Sequence, residues 1–347
     1  MLAGAAHIPY NPALFKKGIR AVTHTKSPAS GRIRSLDQLR GYTIFGMILV
    51  NYLGQFPSMP ETFRHHDDYM SYADTIAPLF LFVAGVGFRL SYLRNRERLG
   101  LGGALWTGLR RYLTLTLIGI LFYNPLNWRG WWDALVDIGL SGVLALPFIG
   151  LGPRARIAAA CGYLALFQAL FTLTPYGAWN MAHSFDGGPL GPLSWVFSLL
   201  LGTVLYDLAA AGNPRRLAAA CLAWGAGLCA AGWLLHTAWP GMKDVWNFSQ
   251  RDMTAPYPLF ATGLAFLAYL PFYLLCDVWG RGLPTLDAVG SNPLVLYLLQ
   301  LVLIEIHGTV IPQESGAAAA ALAFAGMYTL YYLTARWMQR KGYYVKV

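Results

Sequence analysis

"ETFRHHDDYMSYADTIAPLFLFVAGVGFRL", Glu61 to Leu90, changes character halfway along. Between His65 and Asp74 stand two histidines and three aspartates, whereas Thr75 to Phe88 carries no charged side chain. An apolar segment of this kind is what a bilayer demands, because its hydrocarbon core takes about 20 such residues per helix. Runs of the same type recur along all 347 residues, which are 56% hydrophobic and 12% charged. Soluble domains carry about 25% charged residues. The fold expected is therefore all-α: a polytopic integral membrane helix bundle with no separate soluble domain.

Ten spans are predicted, at about 39–56, 74–94, 104–123, 132–151, 154–175, 190–210, 215–238, 256–277, 286–306 and 317–338. Each exceeds the roughly 10 residues of a transmembrane strand, which makes them helices. The chain divides into a basic tail over 1–35, a membrane domain over 36–340 and a short tail over 341–347. The formal charge of +10 is not the mark of a nucleic-acid surface, because of where the charge falls. Of 26 lysines and arginines, 22 collect on one side of the alternating spans, and only Arg64, Arg129, Lys243 and Arg251 fall on the other. The positive-inside rule then places both termini in the cytoplasm, with anionic lipid headgroups as partners of the basic loops. The tail lacks the apolar core of a signal peptide. The four cysteines lie inside predicted spans and read as small core residues, without disulfide or metal framework. Short loops and Ala-, Gly- and Arg-rich composition point to a bacterial inner membrane.

Polar groups within spans are costly unless partnered. Asn51, Asp74, Asp137 and Glu305 all fall on the extracytoplasmic half, beside His65 and His66. A packing hydrogen bond between helices is the plain explanation for each alone; four converging on one half suggest a shared polar cavity. "HHDD" makes a poor metal site, since consecutive residues rarely face one ion and no second pair with ligand spacing exists. Tryptophans on this side are expected as interface anchors. On the opposite side, "RIRSLDQLRG" opens the first span. Asp37 suits the helix N-terminus and reaches Arg40 at i+3. Arg32, Arg34 and Arg40, together with Arg110 and Arg111, form a basic rim suited to phosphates, although no Walker or GxGxxG loop is present.

"SLDQLRGYTIFGMILVNY", then a histidine-bearing loop, then "ADTIAPLFLFVAGVGF" resembles the heparan-α-glucosaminide N-acetyltransferase family and its bacterial relatives. "LRRYLTLTLIGILF", "DGGPLGPLSWVFSLLLGTVLYD" and "VGSNPLVLYLLQ" extend the likeness from Arg32 to about Gln300. The resemblance implies a multi-span enzyme that moves acetyl from cytosolic acetyl-CoA to an extracytoplasmic sugar or glycan, with homodimers possible. It places Asp37 and Arg40 in the family's opening motif, Asn51 in its V-N, Asp74 and Pro78 in its A-D-x-x-x-P, and Asn292 and Tyr297 in its N-x-x-x-x-Y. The active histidine falls on His65 or His66: counting forward from Asn51 favours His65, while counting back from Asp74 lands on Arg64. Two departures stand out. The family's His-x-x-Trp-x-Gly is here "HHDDYMS", and Asp137 stands where relatives often have Gln-Arg.

The expected chemistry is acyl transfer with His65 or His66 as base or nucleophile, since imidazole titrates near neutrality. Asp74 and Asp68 are candidates to orient it, and Asn51 to donate to the developing oxyanion. Acetyl-CoA is the donor expected, held by Arg34, Asp37, Arg40, Arg110, Arg111 and Asn292; no metal is called for. The competing reading is a proton-coupled transporter or flippase of a glycan or lipid precursor, which the lack of a clear internal repeat weakens. A non-catalytic scaffold fits the intramembrane acids poorly.

Overall fold

A computed structural model describes residues 33–66, 69–123 and 126–345. The tail before residue 33 and Asp68 lie outside the described residues. Among the described residues the protein is helical throughout, with short 3-10 turns and no strand. Among these described residues, seven helices are long and apolar enough to cross a membrane.

The chain starts with α1 (Arg34–Leu53) and continues in α2, a run of 51 residues from Ala73 to Tyr123. Gly100 breaks α2 with φ of 74°, a left-handed conformation that side chains disfavour. The two expected spans over 74–94 and 104–123 are thus the arms of one broken helix. Then come α3 (Ala134–Ala145), α4 (Pro153–Leu173), α5 (Tyr176–His183), α6 (Pro192–Ala210), α7 (Pro214–Thr237), α8 (Pro256–Tyr273), α9 (Pro284–Val289), α10 (Pro293–Val310) and α11 (Ala317–Lys341). A proline opens α4 and every helix from α6 to α10, where its fixed φ suits the first turn and its missing N–H costs nothing.

Two expectations are corrected. The span expected at 132–151 is a helix of only 12 residues, about 18 Å long. It gives way to turns over 146–151 because Pro147 supplies no amide to continue it. The span expected at 286–306 is two helices, since α9 ends at Val289 and α10 starts at Pro293. Neither α1 nor α3 is among the seven.

The core sits around α6, which is buried along most of its length, while α10 and α11 bury only a few residues each. Its closest approach is to α2. A Cβ built on Gly85 would come within 1.9 Å of the Leu199 carbonyl oxygen, and one on Gly202 equally near that of Phe82. Without hydrophobic driving force between helices in lipid, such close backbone contact is a main source of association. All four cysteines are free, with Cys221 and Cys276 buried and Cys161 exposed.

Helix direction defines two ends. The N-terminus of α1 and the break at Gly100 share one, called here the basic end. The α1–α2 connection, which carries His65, marks the other.

Candidate active site

The α1–α2 connection is folded by its own side chains. The Arg64 Nη2 donates to the carbonyls of Phe56, Pro57 and Met59, each at 3.0 Å, and so curls the segment back on itself. Ser71 and Asp74 then close the start of α2 as a reciprocal cap. The Ser71 amide donates to Asp74 Oδ2 (2.7 Å), and Ser71 Oγ accepts from the Ala73 amide (3.1 Å). Ser71 Oγ also donates to the Arg64 carbonyl (2.7 Å), tying the cap to the curled segment.

This leaves Asp74 Oδ1 for one partner, His65 Nδ1, at 2.6 Å. The carboxylate is fully buried, while 53% of the His65 side chain remains exposed. The proton belongs on Nδ1, because the carboxylate accepts there, and Nε2 keeps its lone pair. His66 turns away. Its Nε2 lies 3.0 Å from the Glu61 carbonyl and 3.0 Å from the Tyr69 hydroxyl, with the two rings stacked at 4.2 Å.

His65 stands between two cavities. The inner one, of ≈ 110 Å³, is lined by Asn51, His65, Asp133, Asp186, Gln250 and Tyr297, with apolar residues of α1 and α2. The outer one, of ≈ 400 Å³, shares Val50, Asn51 and His65 with it and adds Gln55, Gln300 and Glu305. A hydrogen-bonded chain runs behind the pair. The Tyr257 hydroxyl is 2.7 Å from the Asp74 carbonyl and 3.2 Å from Gln250 Oε1, and Gln250 Nε2 donates to Asp186 Oδ1 at 3.0 Å. Asp186 is presented from a left-handed turn (φ 53°), followed by Gly187 (φ 80°). Asp133 caps α3, accepting from the Ala134 amide at 2.5 Å. Tyr123 and Tyr297 join hydroxyls beside it.

Burial alone would pull the His65 imidazolium down. The Asp74 bond and the charges of Asp186 and Asp133 outweigh that and hold its pKa above the ordinary value. Burial, with the neighbouring charge of Asp133, pushes Asp186 up to about 7. One site therefore holds an imidazole kept above its ordinary value and a carboxyl raised to about 7.

Asp137 is fully buried in α3, and neither of its oxygens has a hydrogen-bond partner. It lines neither cavity. Asp133, Asp186 and Gln250 escaped the sequence reading as site residues. Asp133 reads as an ordinary helix cap, and Gln250 lies some 185 positions from His65 with no motif around it.

At the basic end a cavity of ≈ 880 Å³ is lined by Arg40, Arg98, Arg110 and Arg111, together with polar side chains such as Ser91 and Asn95. Its size falls within the ~300–1,000 Å³ of ligand pockets. Arg111 Nε is buried without a hydrogen-bond partner. Arg40 is steered by Asp37 (2.7 Å), and its Nε donates to the Gly290 carbonyl (2.6 Å). Arg34 is elsewhere, 3.6 Å from Asp287. Asn292 does not line the cavity either. Its amide donates to the Tyr343 carbonyl (3.0 Å) and accepts from the Val345 amide (3.0 Å), and Tyr344 and Val345 form part of the cavity wall.

Residues 32–233, more than half of the chain, match the family described as "Heparan-alpha-glucosaminide N-acetyltransferase, catalytic". A similar protein is the "Uncharacterized 39.9 kDa protein in amylase 3'region" of Bacillus acidopullulyticus, 34% identical over 146 residues, which are 40% of each chain. The matched region thus spans well under half the length of that relative. The extent of the family match, running through Arg40, His65, Asp74 and Asp186, settles the assignment: this chain belongs to the heparan-α-glucosaminide N-acetyltransferase family.

Proposed function

We propose that the protein is a transmembrane acetyltransferase that moves an acetyl group from acetyl-CoA, bound at the basic end, to a hydroxyl or amine of a sugar or glycan at the histidine end. The observation that carries this reading is the His65–Asp74 pair at the junction of two cavities, opposite a large cavity lined by four arginines. Counting α1, both arms of α2 and α3 as crossings gives ten spans, with the basic end and both termini in the cytoplasm by the charge rule. An inner bacterial membrane fits that arrangement.

Arg40, Arg98, Arg110 and Arg111 suit the phosphates of CoA. Arg40 and Asn51 are eleven residues apart on α1, about 16 Å along the axis, a distance that an extended pantetheine arm spans. On α10 the separation is smaller. Leu294 lines the basic cavity and Tyr297 the inner one, about 4.5 Å apart in rise. The thioester would then lie beside His65, with Asn51 offering its amide to the oxyanion.

In the transfer step His65 Nε2 takes the proton of the acceptor hydroxyl or ammonium-derived amine as its lone pair attacks the thioester carbonyl. The tetrahedral intermediate collapses by breaking the C–S bond, and the CoA thiolate recovers a proton from the imidazolium. Asp74 holds the ring and stabilises its charged form, a role in which it keeps its own charge. The test is purified protein with labelled acetyl-CoA and a panel of sugars. Transfer is expected to survive His66→Ala and to disappear in His65→Ala. Equal transfer by His65→Ala and the unchanged protein would overturn the assignment.

A further inference from the structure

The inner cavity, at ≈ 110 Å³, has room for a group of acetyl size beside His65 and not for a sugar. The acceptor must approach His65 from its other side, where the ≈ 400 Å³ cavity lies between the end of α1 and α10. We propose that this groove binds the acceptor's sugar ring and is entered sideways from the bilayer, so that the natural acceptor is a sugar carried on a hydrocarbon anchor. The proposal rests on the acetyl-transfer reading above.

Gln300 marks the ring's place. It is 1% exposed, its Oε1 is buried without a hydrogen-bond partner, and it lines the groove midway along α10. An unsatisfied buried amide oxygen in a membrane-crossing helix costs stability, and polar groups kept at such depth point to function. A sugar hydroxyl is the donor that this acceptor lacks. Asn51, Gln55 and Glu305 add further acceptors and amides along the same wall, a composition that matches a polyol. The lining residues include one arginine, Arg64, whose Nη2 is committed to three carbonyls.

The side entry follows from depth. Glu305 precedes the last residue of α10 by five positions, about 7.5 Å of helix. It is exposed there, on a helix apolar enough to cross the membrane, next to Val302 (50% exposed) and Ile306 (52% exposed). The groove is therefore a polar strip on a lipid-facing flank, with Leu301 and Ile304 forming its apolar border. An amphiphile places its ring on Gln300 and Glu305 and its chain along Leu301 and Ile304. A freely soluble sugar makes only the first set of contacts.

The experiment uses the full chain in lipid nanodiscs, with glucosamine, glucose and their octyl β-glycosides as probes. Binding is measured by calorimetry and transfer with labelled acetyl-CoA. The octyl glycosides are expected to bind at least tenfold more tightly than the free sugars. Gln300→Leu is expected to weaken octyl glycoside binding at least tenfold while its thermal midpoint holds or rises and its acetyl-CoA affinity is unchanged. A residue kept for packing alone would lower the midpoint and leave glycoside binding alone. Equal binding of free and octyl sugars would overturn the side entry, and an unchanged glycoside affinity in Gln300→Leu would overturn the subsite. The binding arm decides the groove even where no acetyl moves; absence of transfer to every acceptor sinks the acetyltransferase reading and not the groove.

Discussion

At the residue scale the site turns on which of two adjacent histidines meets Asp74. Counting along the chain left His65 and His66 as alternatives, because the connection is one residue short of the family's spacing. The geometry separates them through side-chain bonds that no spacing encodes: Arg64 curls the backbone onto three carbonyls, and Ser71 pins that curl to the cap of α2. His65 then falls on Asp74, and His66 stacks on Tyr69. A general base must be neutral to act, and the Asp74 contact favours the charged form. The acid limb of the rate profile is therefore expected above the ordinary imidazole value of about 6.5. Asp74→Asn removes that support and frees the ring to take the wrong tautomer. Its maximal rate should fall by about 10²–10⁴-fold and its acid limb move down in pH, as a kcat–pH profile will read. A limb that stays in place in Asp74→Asn would mean that another group sets it.

At the element scale the D-x-x-R-G motif acts as a latch. Asp37 orients Arg40, Arg40 holds the Gly290 carbonyl, and Gly41 lets α1 touch α9, where a Cβ would come within 2.1 Å of the Leu286 carbonyl oxygen. Gln38 adds a reciprocal pair of 3.0 Å bonds to the Leu283 backbone. A motif that looked like a helix cap with a salt bridge thus fastens the first helix to a segment some 245 positions away. Arg40→Ala removes a charge-assisted bond worth about 1.5–3 kcal/mol, and leaves Asp37 without its guanidinium. Its thermal midpoint should drop, and Arg40→Lys, which lacks the planar fork, should restore only part of it. A full rescue by lysine would show that charge alone matters. Asn292 makes a sharper case. The sequence suggested ligand contact, but the side chain grips the backbone of Tyr343 and Val345, part of the wall of the basic cavity. Asn292→Ala should raise the KM for acetyl-CoA several-fold with little change in kcat; a changed kcat at constant KM would place the residue in the chemistry instead. The helix class and the order of the long apolar helices were legible because burial in lipid demands long apolar runs. The short α3 and the α9–α10 break were less so: apolar composition continues through Pro147, and the break at 290–293, Gly-Ser-Asn-Pro, is only four residues within a longer apolar run.

At the scale of the whole molecule the charge pattern and the cavities make one argument. The basic cavity and the histidine site open at opposite ends of the bundle and come within about one turn of helix of each other along α10. An arrangement of this kind separates the two substrates by side, so activity should depend on the face at which each is supplied. In sealed vesicles carrying the protein in one orientation, transfer is expected when acetyl-CoA is on the side of Tyr344 and the sugar on the side of His66. The orientation is fixed independently by thiol labelling of Tyr344→Cys and His66→Cys in a background whose four cysteines are replaced. Neither position belongs to the proposed catalytic pair, and both are open to reagent at their own end. Transfer with both substrates confined to the His66 side would show that CoA reaches His65 without the basic cavity. Dependence on acetyl-CoA at the Tyr344 face would instead tie the four arginines to the donor and His65 to the acceptor, with the bundle between them as the path for the acyl group alone.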